Sequence, residues 1–208
     1  GVTASLNELQ PLGITPGTPG RPQGAFSSTI SSNTAGSGAG GNVTLNAPSI
    51  HIADGGRVSA TSTGTGNAGS ISIAAADALR IFGDSTIPSK ARGADGGNTD
   101  IRVGNLVHLK NSDITTAVGS GLGAGGNIFI DPTFVILQDG SRVDASAGSG
   151  TGGRIRITAQ NLFAFPGSEI TASGGTGVDG VVEIHSPDAD LAGTLTALDY
   201  VPVISNPF

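Results

Sequence analysis

The sequence predicts an all-β fold, a right-handed parallel β-helix with three strands per coil and about six coils of 27–29 residues. Three observations support this prediction. A glycine that opens a strand-like phrase recurs at a near-constant step, apolar residues alternate with other residues inside each phrase, and helical periodicity is absent throughout. The recurring glycines are Gly41, Gly69, Gly97, Gly126, Gly153 and Gly180.

The coil from Gly126 to Gly152 shows how one repeat is built. It divides into segments 127–131, 133–138 and 141–147, with Asp-Pro and Asp-Gly at the first two corners. Alternation with a period of two residues indicates a strand with one buried face, so the three segments predict a three-sided coil. The expected inward residues here and in the next first strand are Ile128, Ile130, Val135, Leu137, Val143, Ala145, Ile155 and Ile157.

The chain divides into three predicted parts. A proline-rich arm covers residues 1–24, the β-helix covers 25–198, and an apolar tail covers 199–208. Ile30 precedes Val58 by one repeat, so the residues around Ile30 are expected to form the last side of an earlier, incomplete coil. Proline has no amide donor for a ladder, which excludes the arm from an interior coil. The arm is either a linker or a segment that covers a coil end.

Runs of glycine, serine and threonine follow the third strands, at 61–67, 148–152 and 174–177. These runs are expected to form the turns that begin the next coil. Glycine is expected in them because such corners require positive φ angles.

Two kinds of polar residue fall within the strand pattern. Asn42, Asn98 and Asn127 share one position of the repeat and predict a stacked ladder of amide side chains. Thr99 occupies an inward position of a first strand, where its hydroxyl is expected to bond a neighbouring strand. Both interpretations are structural.

Four aspartates, Asp54, Asp84, Asp113 and Asp139, fall near the corner after the second strand. Aspartate favours turns because its side chain bonds the backbone two residues further on, so a row of turn-capping carboxylates is one interpretation. A weak calcium ladder is the other. No nucleophile elbow, phosphate loop or histidine cluster stands out, so we expect no catalytic residues and no cofactor.

Composition excludes several classes of partner. The net charge is −6 with only two lysines, which argues against nucleic acid because phosphate binding needs clustered basic residues. No apolar run has the length of a membrane span, so no membrane insertion is expected. The chain has no cysteine and therefore no disulfide or thiol chemistry.

The C-terminal repeats resemble a known family. Gly-Asn-Ile-Phe-Ile-Asp-Pro-Thr-Phe-Val-Ile-Leu at 126–137, Gly-Gly-Arg-Ile-Arg-Ile-Thr-Ala at 152–159 and the phrases at 177–188 and 191–198 are similar to the C-terminal β-helical region of filamentous-haemagglutinin-type exoproteins. The resemblance covers about the last two-fifths of the chain. It implies a bacterial protein exported by two-partner secretion, folded outside the cell and used in adhesion or matrix building, with no catalytic residues to carry over.

The sequence therefore predicts a non-catalytic structural protein outside the cell or on the bacterial surface, serving as an adhesin, surface fibre or biofilm-matrix subunit. A β-helix end exposes unpaired strand edges, so stacking with other copies into filaments is expected. A surface glycan or host cell surface is a further expected partner. The alternative is a carbohydrate-binding, or less readily a carbohydrate-cleaving, module. Two interpretations of Arg102, Arg142, Arg154 and Arg156 stay open, an outward basic stripe that holds an acidic glycan and an ordinary solvated face.

Overall fold

The computed structural model describes residues 2–4 and 28–190, and this part of the chain is all-β with no helix. Its strands are β1 (Val2–Ala4), β2 (Thr29–Ser31), β3 (Val43–Ile52), β4 (Arg57–Ser59), β5 (Ile71–Phe82), β6 (Thr86–Pro88), β7 (Thr99–Val103), β8 (Leu106–Lys110), β9 (Asp113–Thr115), β10 (Ile128–Asp131), β11 (Phe134–Gln138), β12 (Arg142–Asp144), β13 (Arg154–Thr158), β14 (Asn161–Ala164), β15 (Glu169–Thr171), β16 (Val181–His185) and β17 (Asp188–Asp190). The predicted domain boundaries and the apolar tail lie outside the described residues.

The strands stack as three sides of a solenoid. Coils 1 to 6 are numbered here from the anchor glycines 41, 69, 97, 126, 153 and 180. The third side is a six-stranded sheet in the order β2, β4, β6, β9, β12, β15, and the first and second sides share a larger sheet. Ile30 pairs with Val58, as their spacing predicts. All pairings among these strands are parallel, which confirms the parallel β-helix of about six turns.

The first and second sides are joined differently in different coils. In coils 1 and 2 they form one continuous strand, β3 or β5, and the pairing register shifts between Ala47 and Ser49. In coil 4 the corner falls at Pro132, between β10 and β11. Proline has no amide donor, so the hydrogen-bond ladder to the adjacent coils is interrupted there. Coils 1 and 2 therefore contain two strands where the sequence predicted three.

The core is a stack of aliphatic side chains. Ile130, Leu137 and Val143 of coil 4 are fully buried, one from each side. The buried hydrophobic positions are filled by isoleucine, leucine, valine and alanine, and no phenylalanine is among them in the described residues. Burying each such side chain contributes about 1.5–3 kcal/mol for the larger residues, so the repeat stabilises the stack along its whole length.

Thr99 departs from its predicted role. It is buried between Ile71 and Ile128, its register partners in the adjacent coils. Its hydroxyl has no hydrogen-bond partner among the described residues, so the predicted bond to a neighbouring strand is wrong. The side chains above and below it are aliphatic and offer no acceptor.

A second stacked region lies beside the triangular section. After each third strand the chain makes a loop, and the next anchor glycine closes that loop by donating its amide to a third-side carbonyl, as Gly126 does to Thr116 at 3.1 Å. Successive loops are bridged in parallel, and their buried residues form a separate small cluster. We call this region the loop stack; its cluster consists of Ala68, Ala91, Val118 and Ala147.

The two ends of the rod differ. At the coil 1 end, β1 pairs in parallel with β3, and the inward residues Val43 and Leu45 are buried. At the coil 6 end, the corresponding Val182 and Ile184 are only partly buried. None of the described residues forms a helix long and apolar enough to cross a membrane.

Candidate functional surfaces

The anchor glycines are required by close contact between coils. A Cβ atom added to Gly97 would collide with the carbonyl oxygen of Gly69, and one added to Gly126 would collide with that of Gly97. The same clash with the preceding anchor recurs at Gly153 and Gly180. These glycines do not have positive φ, so their role is to let one backbone lie directly on another.

The glycine-rich runs follow the same rule, which corrects the prediction made for them. Within 61–67, 148–152 and 174–177 only Gly175 has a positive φ, of 59°. At Gly64, Gly150 and most other glycines of these runs an added Cβ would meet the backbone of the neighbouring coil. The runs are glycine-rich because the loops are stacked tightly, and the need for a left-handed turn is the exception.

The asparagines at the start of the first strands link adjacent coils. Asn127 Nδ2 donates to Asn98 Oδ1 at 3.1 Å, so these two amides are stacked. The side-chain oxygen of Asn42 accepts the amide of Ser70 at 2.9 Å, and that of Asn127 accepts the amide of Arg154 at 3.1 Å. Asn98 accepts the amide of Asn127 in the same way at 3.1 Å, so each asparagine satisfies a backbone donor of the next coil.

The four aspartates do not form one row. Asp54 and Asp139 precede the inward third-strand residue by four positions, Asp84 by three, and Asp113 by one. Asp54, Asp84 and Asp139 have positive φ angles of 54°, 58° and 54°, a conformation that aspartate tolerates better than most residues. Turn conformation therefore explains three of the four.

Of these three aspartates, Asp84 and Asp139 contact side chains of a neighbouring coil, and Asp54 is exposed. Asn111 Nδ2 donates to Asp84 Oδ1 at 2.9 Å, and Lys110 Nζ lies 3.6 Å from Asp139 Oδ2. Among the described residues no group of three or more histidine, aspartate or glutamate side chains is placed to hold a metal ion. The geometry offers nothing that assembles these carboxylates into a calcium site.

Asp113 belongs to a charged cluster on the third side. Burial raises the pKa of Asp113 above its ordinary value, and the nearby positive charges of Arg142 and Lys90 oppose that rise. Arg142 also pairs with Asp144 at 3.2 Å and with Glu169 at 3.6 Å. The Arg142–Glu169 pair links coil 4 to coil 5, and both ion pairs are partly exposed, so each contributes little to stability.

A row of buried serines at the corner before the third side escaped the sequence analysis. Ser85 Oγ donates to Phe82 O and Ser141 Oγ to Gln138 O, both at 2.7 Å, and Ser112 Oγ donates to Lys110 O at 3.0 Å. The signal was available, because each serine stands two positions before an inward third-strand residue. These hydroxyls satisfy the carbonyls of the turn.

The arginines proposed to hold a glycan are divided between two sides. Arg102 and Arg154 lie on the first side, where they pair with Asp100 at 2.8 Å and with Glu183 at 3.7 Å. Arg156 also lies on the first side, beside Phe129, whereas Arg142 lies on the third. A single basic stripe is therefore wrong, since acidic partners and a different side separate its members.

The phenylalanines of the described residues occupy outward positions. Phe134 and Phe165 are 37% and 43% exposed, and Phe163 is partly exposed between the buried Leu162 and Ala164. Together with Phe82 and Ile136, these three lie on the outer surface of the second side, which we call the aromatic face. The alternation within each strand is the sequence signal for these outward positions.

Polar residues border the aromatic face on its coil 1 side. The ring of Phe82 lies edge-on between those of His51 and His108, with centroids 5.4 and 4.7 Å away. His108 Nε2 lies 2.8 Å from Gln138 Oε1. The histidines are thus part of the outer surface of the rod and are held by ring contacts and one hydrogen bond.

Comparison with protein-family models, with curated proteins and with solved structures found no match to this chain. The resemblance to filamentous-haemagglutinin-type exoproteins therefore stays a prediction from the sequence.

Proposed function

We propose that this protein is a non-catalytic structural element, a β-helical rod that stacks end to end into fibres outside the cell or on the bacterial surface. In that setting it serves as an adhesin, a surface fibre or a matrix subunit. The observation that carries the proposal is the state of the two rod ends. The first-side ladder begins at β1 and ends at β16, and within the described residues neither strand has a partner on its outer edge.

The outer edges of β1 and β16 have the geometry to pair with each other. β1 and β16 lie on the same side of the rod and run in the same direction, because each pairs in parallel with its neighbour. Placing β16 of one copy against β1 of the next would continue the parallel ladder across the junction. The partly exposed Val182 and Ile184 would be buried by the same contact. Because this contact is heterologous and joins opposite ends of the rod, it does not close into a ring and propagates into a filament.

A sedimentation assay on the full chain tests this proposal. Ile184→Asp places a charge at the coil 6 end, whereas the control Thr44→Asp places one on an exposed outward position of coil 1. We expect wild type and Thr44→Asp to form sedimenting assemblies and Ile184→Asp to stay in the supernatant, with all three showing the same β-sheet circular dichroism. Sedimentation of folded Ile184→Asp at the wild-type level would reject end-to-end stacking.

The outward phenylalanines favour one second candidate, a carbohydrate-binding rod. Sugars stack on exposed aromatic rings, and Phe134 and Phe165 offer two such rings on one side. A glycan array probed with wild type and with Phe134→Ala tests this alternative. Binding that the substitution abolishes, without turnover of the glycan, would support it.

A further inference from the structure

The outer surface of the second side carries no charged residue on the strands of coils 4 and 5. Six residues lie outward there, three of them aromatic, two with carboxamide side chains and one aliphatic. They are Phe134, Ile136, Gln138, Asn161, Phe163 and Phe165. We call these six residues the coil 4–5 patch. Lys110 and Asp139, which border it next to Gln138, lie 3.6 Å from each other and so form their own ion pair.

Aromatic rings and amides occupy opposite coils at the two ends of the patch. Phe134 of coil 4 is in register with Asn161 of coil 5, and at the other end of the strands Gln138 of coil 4 lies beside Phe165 of coil 5. Each end therefore offers one ring and one carboxamide. The two ends are separated by four residues, about 13 Å along the strands, and apolar side chains cover the surface between them.

Both carboxamides keep hydrogen-bonding groups for a ligand. The side chain of Asn161 is partly exposed and has no hydrogen-bond partner among the described residues. Gln138 Oε1 lies 2.8 Å from His108 Nε2, and the Gln138 NH₂ group has no partner within the same part of the chain. A carboxamide donates and accepts hydrogen bonds, as a sugar hydroxyl does, so the two groups match each other.

We propose that the coil 4–5 patch binds a neutral polysaccharide whose chain lies across the rod, parallel to the strands. The inference rests on the second candidate function, carbohydrate binding, and names the class of sugar and its site. The C–H faces of pyranose rings stack on Phe134 and Phe165, and their hydroxyls exchange hydrogen bonds with Asn161 and Gln138. A carboxylated or sulfated chain is disfavoured, because it would lose hydration on the patch without meeting a positive charge.

Fluorescence anisotropy of labelled oligosaccharides, titrated with the full chain, tests the class of sugar. The neutral probes are hexasaccharides of glucose, mannose and xylose, and the acidic probe is hexagalacturonate. We expect at least one neutral probe to bind and hexagalacturonate not to bind. Binding of hexagalacturonate alone would overturn the inference and leave carbohydrate binding in place. If no probe binds, the inference is equally wrong, and the glycan array decides whether carbohydrate binding survives.

Substitutions test the site with the neutral probe that binds. We expect Phe134→Ala and Phe165→Ala each to weaken binding at least about tenfold, and Asn161→Ala, which keeps both rings, to weaken it about fivefold. The matched control is Phe82→Ala, because Phe82 lies on the aromatic face in coil 2, outside the patch, and should leave the affinity unchanged. Circular dichroism checks that each variant is folded.

Three results of these substitutions would overturn the site. If all four variants bind as tightly as the wild type, the sugar occupies another surface. If Phe82→Ala weakens binding as much as Phe134→Ala does, the sugar is not confined to the patch. A loss in only one of Phe134→Ala and Phe165→Ala would show that the chain does not extend across both ends. In each case carbohydrate binding itself stands.

Other occupants of the patch are separate outcomes. If the neutral probe binds the full chain only after Val203→Asp, segment 199–208 occupies the patch and the proposal is wrong. If Phe134→Ala lowers the mass found by sedimentation equilibrium and leaves sugar affinity unchanged, the occupant is a second copy and the proposal is equally wrong. Both outcomes leave end-to-end stacking untouched, because that contact involves the ends of the rod.

Discussion

The triangular core and the loop stack are repeated with the same period, yet they pack by opposite means. In the core, branched aliphatic side chains such as Ile128 and Ile130 fill the space between strands. In the loop stack the buried side chains are small, apart from Val118, and at positions such as Gly126 and Gly150 the backbone of one coil contacts the backbone of the next directly. A single repeat length therefore combines two kinds of packing. The core requires large side chains, whereas the contacts between backbones require glycine.

The largest effect is expected from filling the space between backbones. Gly126→Val would drive its side chain into the carbonyl of Gly97, so the free energy of unfolding should fall by about 4 kcal/mol or more. The matched control is Gly119→Val, because Gly119 lies in the same loop stack with open space around its Cβ position. Thermal and urea denaturation measure both. Equal losses would show that backbone contact is not what requires glycine.

Removing core volume should have the next largest effect. Ile130→Ala leaves a cavity among fully buried side chains and should cost about 3 kcal/mol of unfolding free energy. Ile136→Ala, one strand further on but outward, deletes the same atoms from a partly exposed position and should cost under about 1 kcal/mol. Urea denaturation of the two variants decides the matter, and a cost at Ile136 as large as that at Ile130 would contradict the inward assignment.

Two buried threonines allow a smaller comparison with opposite signs. Thr99→Val in the core removes a hydroxyl without a partner and should raise the free energy of unfolding by about 1 kcal/mol. Thr116 directly follows β9, where the loop begins, and its hydroxyl donates to Gly126 O at 2.8 Å. Thr116→Val removes this hydrogen bond and should lower the free energy of unfolding by a similar amount. Differential scanning calorimetry would show the two melting temperatures moving apart. A shift in the same direction would contradict one of the two hydrogen-bond assignments.

The core could be predicted from the sequence because two patterns identify each inward residue. Inward residues alternate within a strand, and they recur one coil later. Ile30 and Val58 illustrate this. They are one repeat apart in the sequence, and β2 pairs with β4 in the register that this spacing predicts. Glycine carried less information. A glycine signals either a left-handed turn or a close contact, and only knowledge of what lies one coil below distinguishes Gly175 from Gly150.

The surfaces were harder to predict for a related reason. Corner length varies between coils, so Asp54 stands four positions before its inward third-strand residue and Asp84 three, while Asp113 is the first residue of β9 itself. The alternation already places Phe163 outward, because Leu162 and Ala164 fill the inward positions on either side of it. Thr99 was given a partner because buried hydroxyls usually have one, and its aliphatic neighbours offer none.

Electron microscopy of the native protein tests the central claim most directly, since the claim is that rods continue one another through their ends. Six coils at about 4.8 Å predict filaments with a subunit rise of about 30 Å, or slightly more where β1 adds a layer. Filaments with this rise would establish the protein as a fibre subunit. Isolated rods at every concentration would contradict end-to-end stacking.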